Sequence, residues 1–87
     1  MIWYFYLLRC NNNALYSGIT NDLKKRIEKH NKGKGAKYTA YNKPVKLEYF
    51  EKFKNKSDVI KREIQVKSWN KAEKEQMIKG FPKNSKY

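Results

Sequence analysis

The chain has 87 residues and a formal net charge of +13, from 21 Lys and Arg against 8 Asp and Glu. That length suits one domain with a small core and leaves no room for a second catalytic one. The charge points to a polyanionic partner, nucleic acid before an anionic membrane surface, while a single cysteine, Cys10, excludes an internal disulfide partner and any Cys-based zinc cluster. A cytoplasmic location is expected and no membrane association: there is no secretory leader, and the apolar start, Ile2 to Leu8, is too short to span a bilayer.

The run Trp3–Cys10 (WYFYLLRC) predicts a strand, and Asn11, Asn12 and Asn13 supply a turn that tolerates positive φ. Leu15–Ile19 then pairs back as a second strand. If the loop is the three asparagines, Leu8 faces Tyr16 and Tyr6 faces Gly18, so Tyr6 and Tyr16 share a face as diagonal neighbours. A loop one residue longer or shorter would put them on opposite faces. Gly18 would leave the Tyr6 ring open on one side. Thr20, Asn21 and Asp22 are cap residues for a helix reaching Asn31. On it Leu23, Ile27 and His30 share a stripe, flanked by Arg26. His30 reads there either as a packed core residue or as part of a reaction centre with Arg26 and the tyrosines.

From Asn31 to Pro44 the chain reads as irregular, with Lys32, Lys34, Lys37 and Lys43 interleaved with Tyr38 and Tyr41. The spacing of a phosphate-binding GxxxxGK[ST] loop is missing. Lysines among tyrosines suit phosphate contacts and base stacking, or simply a solvated loop. Val45–Phe53 predicts a third strand, alternating Val45, Leu47 and Tyr49 against Lys46 and Glu48. Asn55 or Ser57 caps a helix running to about Trp69. Its apolar residues are Val59, Ile60, Ile64 and Val66, and Glu63 and Lys67 fall within their arc. Two charges there cost desolvation unless paired or used. An i,i+4 ion pair at the core edge is the structural alternative. Asn70 and Glu73 form a capping box for a last helix to about Lys79, stopped by Gly80 and Pro82. A single domain over residues 1–80 is expected, with 81–87 a loose C-terminal tail.

The order hairpin, helix, strand, helix, helix, with these residues, resembles the GIY-YIG nuclease family. It looks most like the small single-domain bacterial members, which share the loop GKGAKYT seen at Gly33–Thr39. Tyr4-Phe5-Tyr6 stands in the place of GIY and Tyr16-Ser17-Gly18 in that of YIG. Arg26 matches the first-helix arginine, His30 the histidine one turn later and Glu63 the metal-binding glutamate, over about residues 2–78. Tyr4 and Ser17 depart from the motif letters, both beside the tyrosines rather than at them.

The resemblance implies an α+β fold, a small three-stranded antiparallel or mixed sheet packed with about three helices. It also implies a metal-dependent DNA endonuclease of DNA repair or recombination, with DNA structure as a candidate target. Glu63 would hold Mg²⁺ or Mn²⁺, Arg26 would stabilise transition-state charge, and Tyr6 or Tyr16 would orient or deprotonate the attacking water. A free phenol titrates near ~10, so a base role calls for a neighbouring cation to lower it. His30 would accept the tyrosine proton, and Lys67 would join Lys32, Lys34, Lys37 and Tyr38 on the nucleic acid. Larger relatives carry a separate DNA-binding domain, so a protein partner supplying specificity is a further expectation. The rival is a non-catalytic nucleic-acid-binding module of the same fold, which has no reason to keep a carboxylate where phosphate sits.

Either reading predicts DNA affinity that falls log-linearly with salt, because the protein's charge acts through phosphate contacts. In anisotropy titrations the Lys34→Ala, Lys37→Ala double variant should show a slope shallower by roughly two.

Overall fold

In the computed structural model, which describes residues 1–82 and Ser85, the aromatic run at the start of the chain becomes the central strand, β1 (Trp3–Arg9). The strands β2 (Leu15–Thr20) and β3 (Lys46–Phe53) pair antiparallel to its two edges, in the order β2-β1-β3. A central strand must be covered on both faces, which is why β1 is apolar almost throughout. Tyr6 and Leu8 pack on one side with Leu23 of α1 (Leu23–Asn31), Val45 and Phe50. Phe5 and Leu7 pack on the other with Val59 and Val66 of α3 (Lys56–Lys67). Trp69 and α4 (Lys71–Lys79), through Met77 and Ile78, complete that second layer. The result is an α+β arrangement of helices on both faces of an antiparallel sheet. Among the described residues no helix is long and apolar enough to cross a membrane.

The three asparagines make the turn. Asn13 takes φ 71°, a left-handed value that Asn accepts readily, and Cys10 N–H donates to Ala14 O at 2.9 Å. That fixes the register as Tyr6 opposite Gly18 and Leu8 opposite Tyr16. On the other edge the alternation expected along Val45–Tyr49 does not run through. Leu7 pairs with Tyr49 but Leu8 with Leu47, so Glu48 is an extra residue in a β-bulge. Leu47 therefore joins Leu8 on the α1 side, while Tyr49 joins Leu7 on the α3 side. Glu48 receives Arg9 Nη2 at 3.0 Å, and the same guanidinium donates to Glu75 of α4 at 2.6 Å.

The stretch 31–44, read as irregular, contains a short helix, α2 (Lys37–Tyr41), whose Thr39 is buried. Gly33, at φ +78°, turns the chain out of α1. The Asn31 amide clamps the main chain of Val45, receiving its N–H at 2.7 Å and donating to its O at 3.3 Å. The connection is thereby held at both ends, and a five-residue helix is too short to declare itself by periodicity. On α3 the expected apolar arc is narrower than its composition suggests. Val59 and Val66 are buried, whereas Ile64 is 62% exposed and Ile60 lies at the surface. Glu63 thus sits at the margin of the packed face and not in its middle.

Phe81, assigned to the tail from the sequence, packs on Tyr49 and Phe50 with ring centroids 4.9 and 5.2 Å away. Of the rest of that expected tail, Ser85 N–H donates to Pro82 O at 3.2 Å, and residues 83, 84, 86 and 87 lie outside the described residues. On the α3 side Arg62 grips Glu51 of β3 with both arms, at 2.8 and 2.9 Å, while Tyr49 O–H also donates to Glu51. The same guanidinium lies 5.3 Å from the Trp69 ring. Arg62→Ala leaves that half-buried carboxylate with the Tyr49 hydroxyl alone. The domain should lose ~2 kcal/mol in urea unfolding, below the ~3–5 of a fully buried pair.

Candidate active site

The hairpin register and α1 together build one polar cluster inside the sheet's α1 face. Tyr6 is 1% exposed, yet its hydroxyl is not orphaned: it lies 3.0 Å from His30 Nε2. His30 is itself fully buried, two turns along α1 from Leu23, the residue that anchors the helix. Asp22 starts that helix by receiving Lys25 N–H at 3.2 Å. Tyr16 packs edge-on to the imidazole with centroids 5.3 Å apart, so both tyrosines meet the same ring. Arg26, one turn before His30, donates its Nε–H to the Tyr6 oxygen at 3.4 Å and its Nη2 to Gly35 O at 3.4 Å.

Two glycines and a threonine complete the cluster. Gly18 does not leave Tyr6 open, as its place opposite the ring suggests. The phenol leans across it and fills the space, and a Cβ there would stand 2.6 Å from Tyr6 Cζ. Gly35 lies against the other ring, where a Cβ would stand 2.7 Å from His30 Cγ. Thr39 of α2 brings its Oγ1 to 2.8 Å from His30 Nδ1. Gly35 and Thr39 escaped the sequence reading because GKGAKYT was weighed there for its lysines and tyrosines. Without α2, nothing placed Thr39 beside His30.

Burial first, and the Arg26 charge second, hold His30 down to about 4, so the imidazole is neutral near pH 7. Burial also raises Tyr6 above the ordinary phenol value, outweighing the opposing effect of Arg26. The neighbouring cation therefore does not generate the phenolate that a simple base role would use. The site holds a neutral phenol against a neutral imidazole.

Arg26 also faces an open cleft of about 520 Å³, lined by Lys25, Lys29, Lys32 and Lys34 and by the carboxylates Asp22 and Glu28, so basic groups outnumber acidic ones there. Lys37 and Tyr38 are exposed on α2 and are not among the residues lining it; the Tyr38 hydroxyl receives Asn12 Nδ2–H at 2.9 Å. Glu63, on α3, makes no hydrogen bond to the tyrosines, Arg26 or His30. Its carboxylate nevertheless helps to push up Tyr6, the least of the causes of that shift, so it lies within electrostatic reach. The Glu63 side chain is 18% exposed and pairs with Lys67 Nζ at 3.4 Å, whose own side chain is 67% exposed. Among the described residues no group of three or more His, Cys, Asp or Glu could enclose a metal ion. A single carboxylate such as Glu63 suits a hard cation of the Mg²⁺ type that keeps waters and takes substrate oxygens.

A family model described as the GIY-YIG catalytic domain matches residues 2–76. A UPF0213 protein of Pediococcus pentosaceus is 48% identical over 77 residues, covering 88% of this chain and 81% of that one. A UPF0213 protein of Bacillus pumilus is 47% identical over 75 residues, covering 86% and 76%. Among solved structures, a protein of E. faecalis superposes with a TM-score of 0.64 at 36% identity, covering all of this chain and 93% of that one. The UPF0213 protein of Bacillus halodurans gives 0.59 at 38% identity, over 91% and 84%.

Because His30 is depressed, the folded state binds fewer protons than the unfolded one between about 4 and 6.5. Its contribution to stability is complete above 6.5 and is lost as pH falls toward 4. Ring proton resonances of this single histidine should hold their neutral positions down to about pH 5 in an NMR titration. A midpoint near 6.5 would contradict the burial described here.

Proposed function

The chain belongs to the GIY-YIG family, and from that premise we propose that residues 1–80 act as a single metal-dependent nuclease domain that hydrolyses phosphodiester bonds of DNA. The observation that carries the reading is the Tyr6–His30 hydrogen bond, with Arg26 donating to the same phenol from the wall of a cationic cleft. A backbone laid along Lys25, Lys29, Lys32 and Lys34 brings a phosphate to Arg26, which takes up the charge that develops in an in-line displacement. Lys37 and Tyr38, on α2, extend the contact along the strand. Tyr16, the less buried tyrosine, orients the attacking water. Tyr6 accepts the water's proton as its own hydroxyl proton passes to His30 Nε2, which is bare of charge at neutral pH.

The carboxylate assigned to the metal is Glu63, with Lys67 released from its ion pair to hold phosphate. Glu63 would hold Mg²⁺ or Mn²⁺, which would supply charge neutralisation to the phosphate. The work belongs to DNA repair or recombination in the cytoplasm, with a protein partner contributing specificity. A purely DNA-binding role would use the same cleft, but it has no need of a phenol and an imidazole buried behind Arg26.

Glu63→Gln separates the two readings. Lys67 is mostly solvated, so losing its partner strands no buried ammonium, and stability should change by less than ~1 kcal/mol. DNA binding should persist, or tighten as a negative charge leaves. Cleavage of labelled flaps, forks, nicked duplexes and single strands with Mg²⁺ or Mn²⁺ should fall by at least ~100-fold, to the level seen with chelator. Wild-type cleavage by the variant would defeat the assignment of Glu63, and no cleavage by the wild type on any of these substrates would defeat the nuclease reading.

A further inference from the structure

We propose that Thr39 is a positioning residue that fixes the tautomer of His30, placing the ring hydrogen on Nδ1 and leaving Nε2 as the acceptor for the Tyr6 hydroxyl. A neutral imidazole has one donor and one acceptor nitrogen, and two hydroxyls flank this one. Phenol and threonine can each give or receive, so neither distance alone says which nitrogen carries the hydrogen. The ends of the chain decide it.

At one end stands the Ala36 carbonyl, which can only accept. Thr39 Oγ1 lies 3.1 Å from it and gives its single hydrogen to the second lone pair of that oxygen, the first being held by Ala40 N–H at 2.9 Å. Toward His30, 2.8 Å away, Thr39 then offers only lone pairs, so Nδ1 must be the nitrogen that donates. At the other end Arg26 Nε–H can only donate, and it points to the Tyr6 oxygen at 3.4 Å. The Tyr6 hydrogen is directed to Nε2. Arg26, Tyr6, His30, Thr39 and Ala36 thus form one chain in which each group gives to the next. No side-chain polar atom buried among the described residues is left unpartnered, as the low dielectric there demands.

The loop between α1 and α2 serves the ring twice. Gly35 lets it sit where any side chain would collide, and Thr39 sets which way round its hydrogen lies. Imidazole free in water prefers its hydrogen on Nε2. In that form the ring would point a donor at Tyr6, and the phenol's proton would have nowhere to go. The catalytic part of this inference rests on the nuclease reading: as the water's proton reaches the Tyr6 oxygen, the Tyr6 proton moves to Nε2, and Nδ1 keeps its own. The tautomer itself does not depend on that reading.

His30 is the chain's one histidine, so its two ring nitrogens can be read without ambiguity in a long-range ¹H–¹⁵N correlation spectrum at neutral pH. The wild type and Thr39→Ser should both show a protonated Nδ1 and a bare Nε2. Thr39→Val, close in volume but without the hydroxyl, should move hydrogen toward Nε2. It should also cut the cleavage rate by about tenfold to a hundredfold with DNA affinity unchanged, as when a hydrogen bond that orients a histidine is removed. Thr39→Ser should recover the rate. A wild-type ring carrying its hydrogen on Nε2, or a folded Thr39→Val that keeps it on Nδ1, overturns the proposal. If Thr39→Val does not fold, the wild-type and Thr39→Ser spectra decide alone. A wild type that cleaves nothing sinks the nuclease reading and leaves the tautomer result standing.

Discussion

A phenol and an imidazole enclosed together at the centre of a small domain have to satisfy each other, because water cannot. The 3.0 Å bond between Tyr6 and His30 is that requirement met, and much of the fold is arranged to allow it. The hairpin turn sets the register that puts Gly18 under the phenol. The Asp22 cap and Leu23 set the phase of α1 so that its last turn reaches the sheet. The Asn31 clamp returns the chain to β3 across a span in which α2 can form. Shift any of these by one residue and the cluster loses a member to the opposite face or to solvent.

The same economy governs charge. Eight acidic residues face twenty-one basic ones, and most of the acids are occupied within the fold. Asp22 and Glu73 cap helices, and Asp58 receives the amide of the Asn55 cap. Glu48 and Glu75 share Arg9, and Glu51 holds Arg62. The closest ion pairs thus join acids to arginines across elements, at 3.0 Å or less, while the pairs with lysines are longer, 3.4 to 3.9 Å. Part of the positive charge that remains, on Lys25, Lys29, Lys32 and Lys34, borders Arg26 on the rim of the polar cluster. Those lysines and the Tyr6–His30 pair lie on the same side of the sheet.

Much of this was legible in the sequence where the signal is local. The asparagine turn and the Asn70 cap follow from residue type, Asn55 is one of two cap candidates, and the common face of Tyr6 and Tyr16 follows from a period of two once the loop is the three asparagines. The missed features depend on what lies across the fold. Glu48 looks like one more step of an alternating strand, and only the register against β1, which passes over it, shows it as the residue that breaks the alternation. Ile60 and Ile64 satisfy a helical period yet find nothing to pack on. Thr39 carries no chemistry that a linear reading would single out. It acquires meaning because α2 aims it at His30 from nine residues away. Phe81 follows a helix stop and reads as an ending, although two aromatic rings of β3 wait for it.

Phe81 touches Tyr49 and Phe50, neighbours whose side chains leave β3 on opposite faces, so its ring must straddle the outer border of the strand. That border also carries the kink at Glu48 and the exposed ammonium groups of Lys46 and Lys52. An exposed strand margin offers its peptide groups to any extended chain, and self-association through such margins is a common failure of small β-containing proteins. Here an aromatic clasp, a bend and two like charges oppose a fourth strand on the β3 side. On that side a domain so short, basic and aromatic has a margin built against growing, copy upon copy, into a continuous sheet.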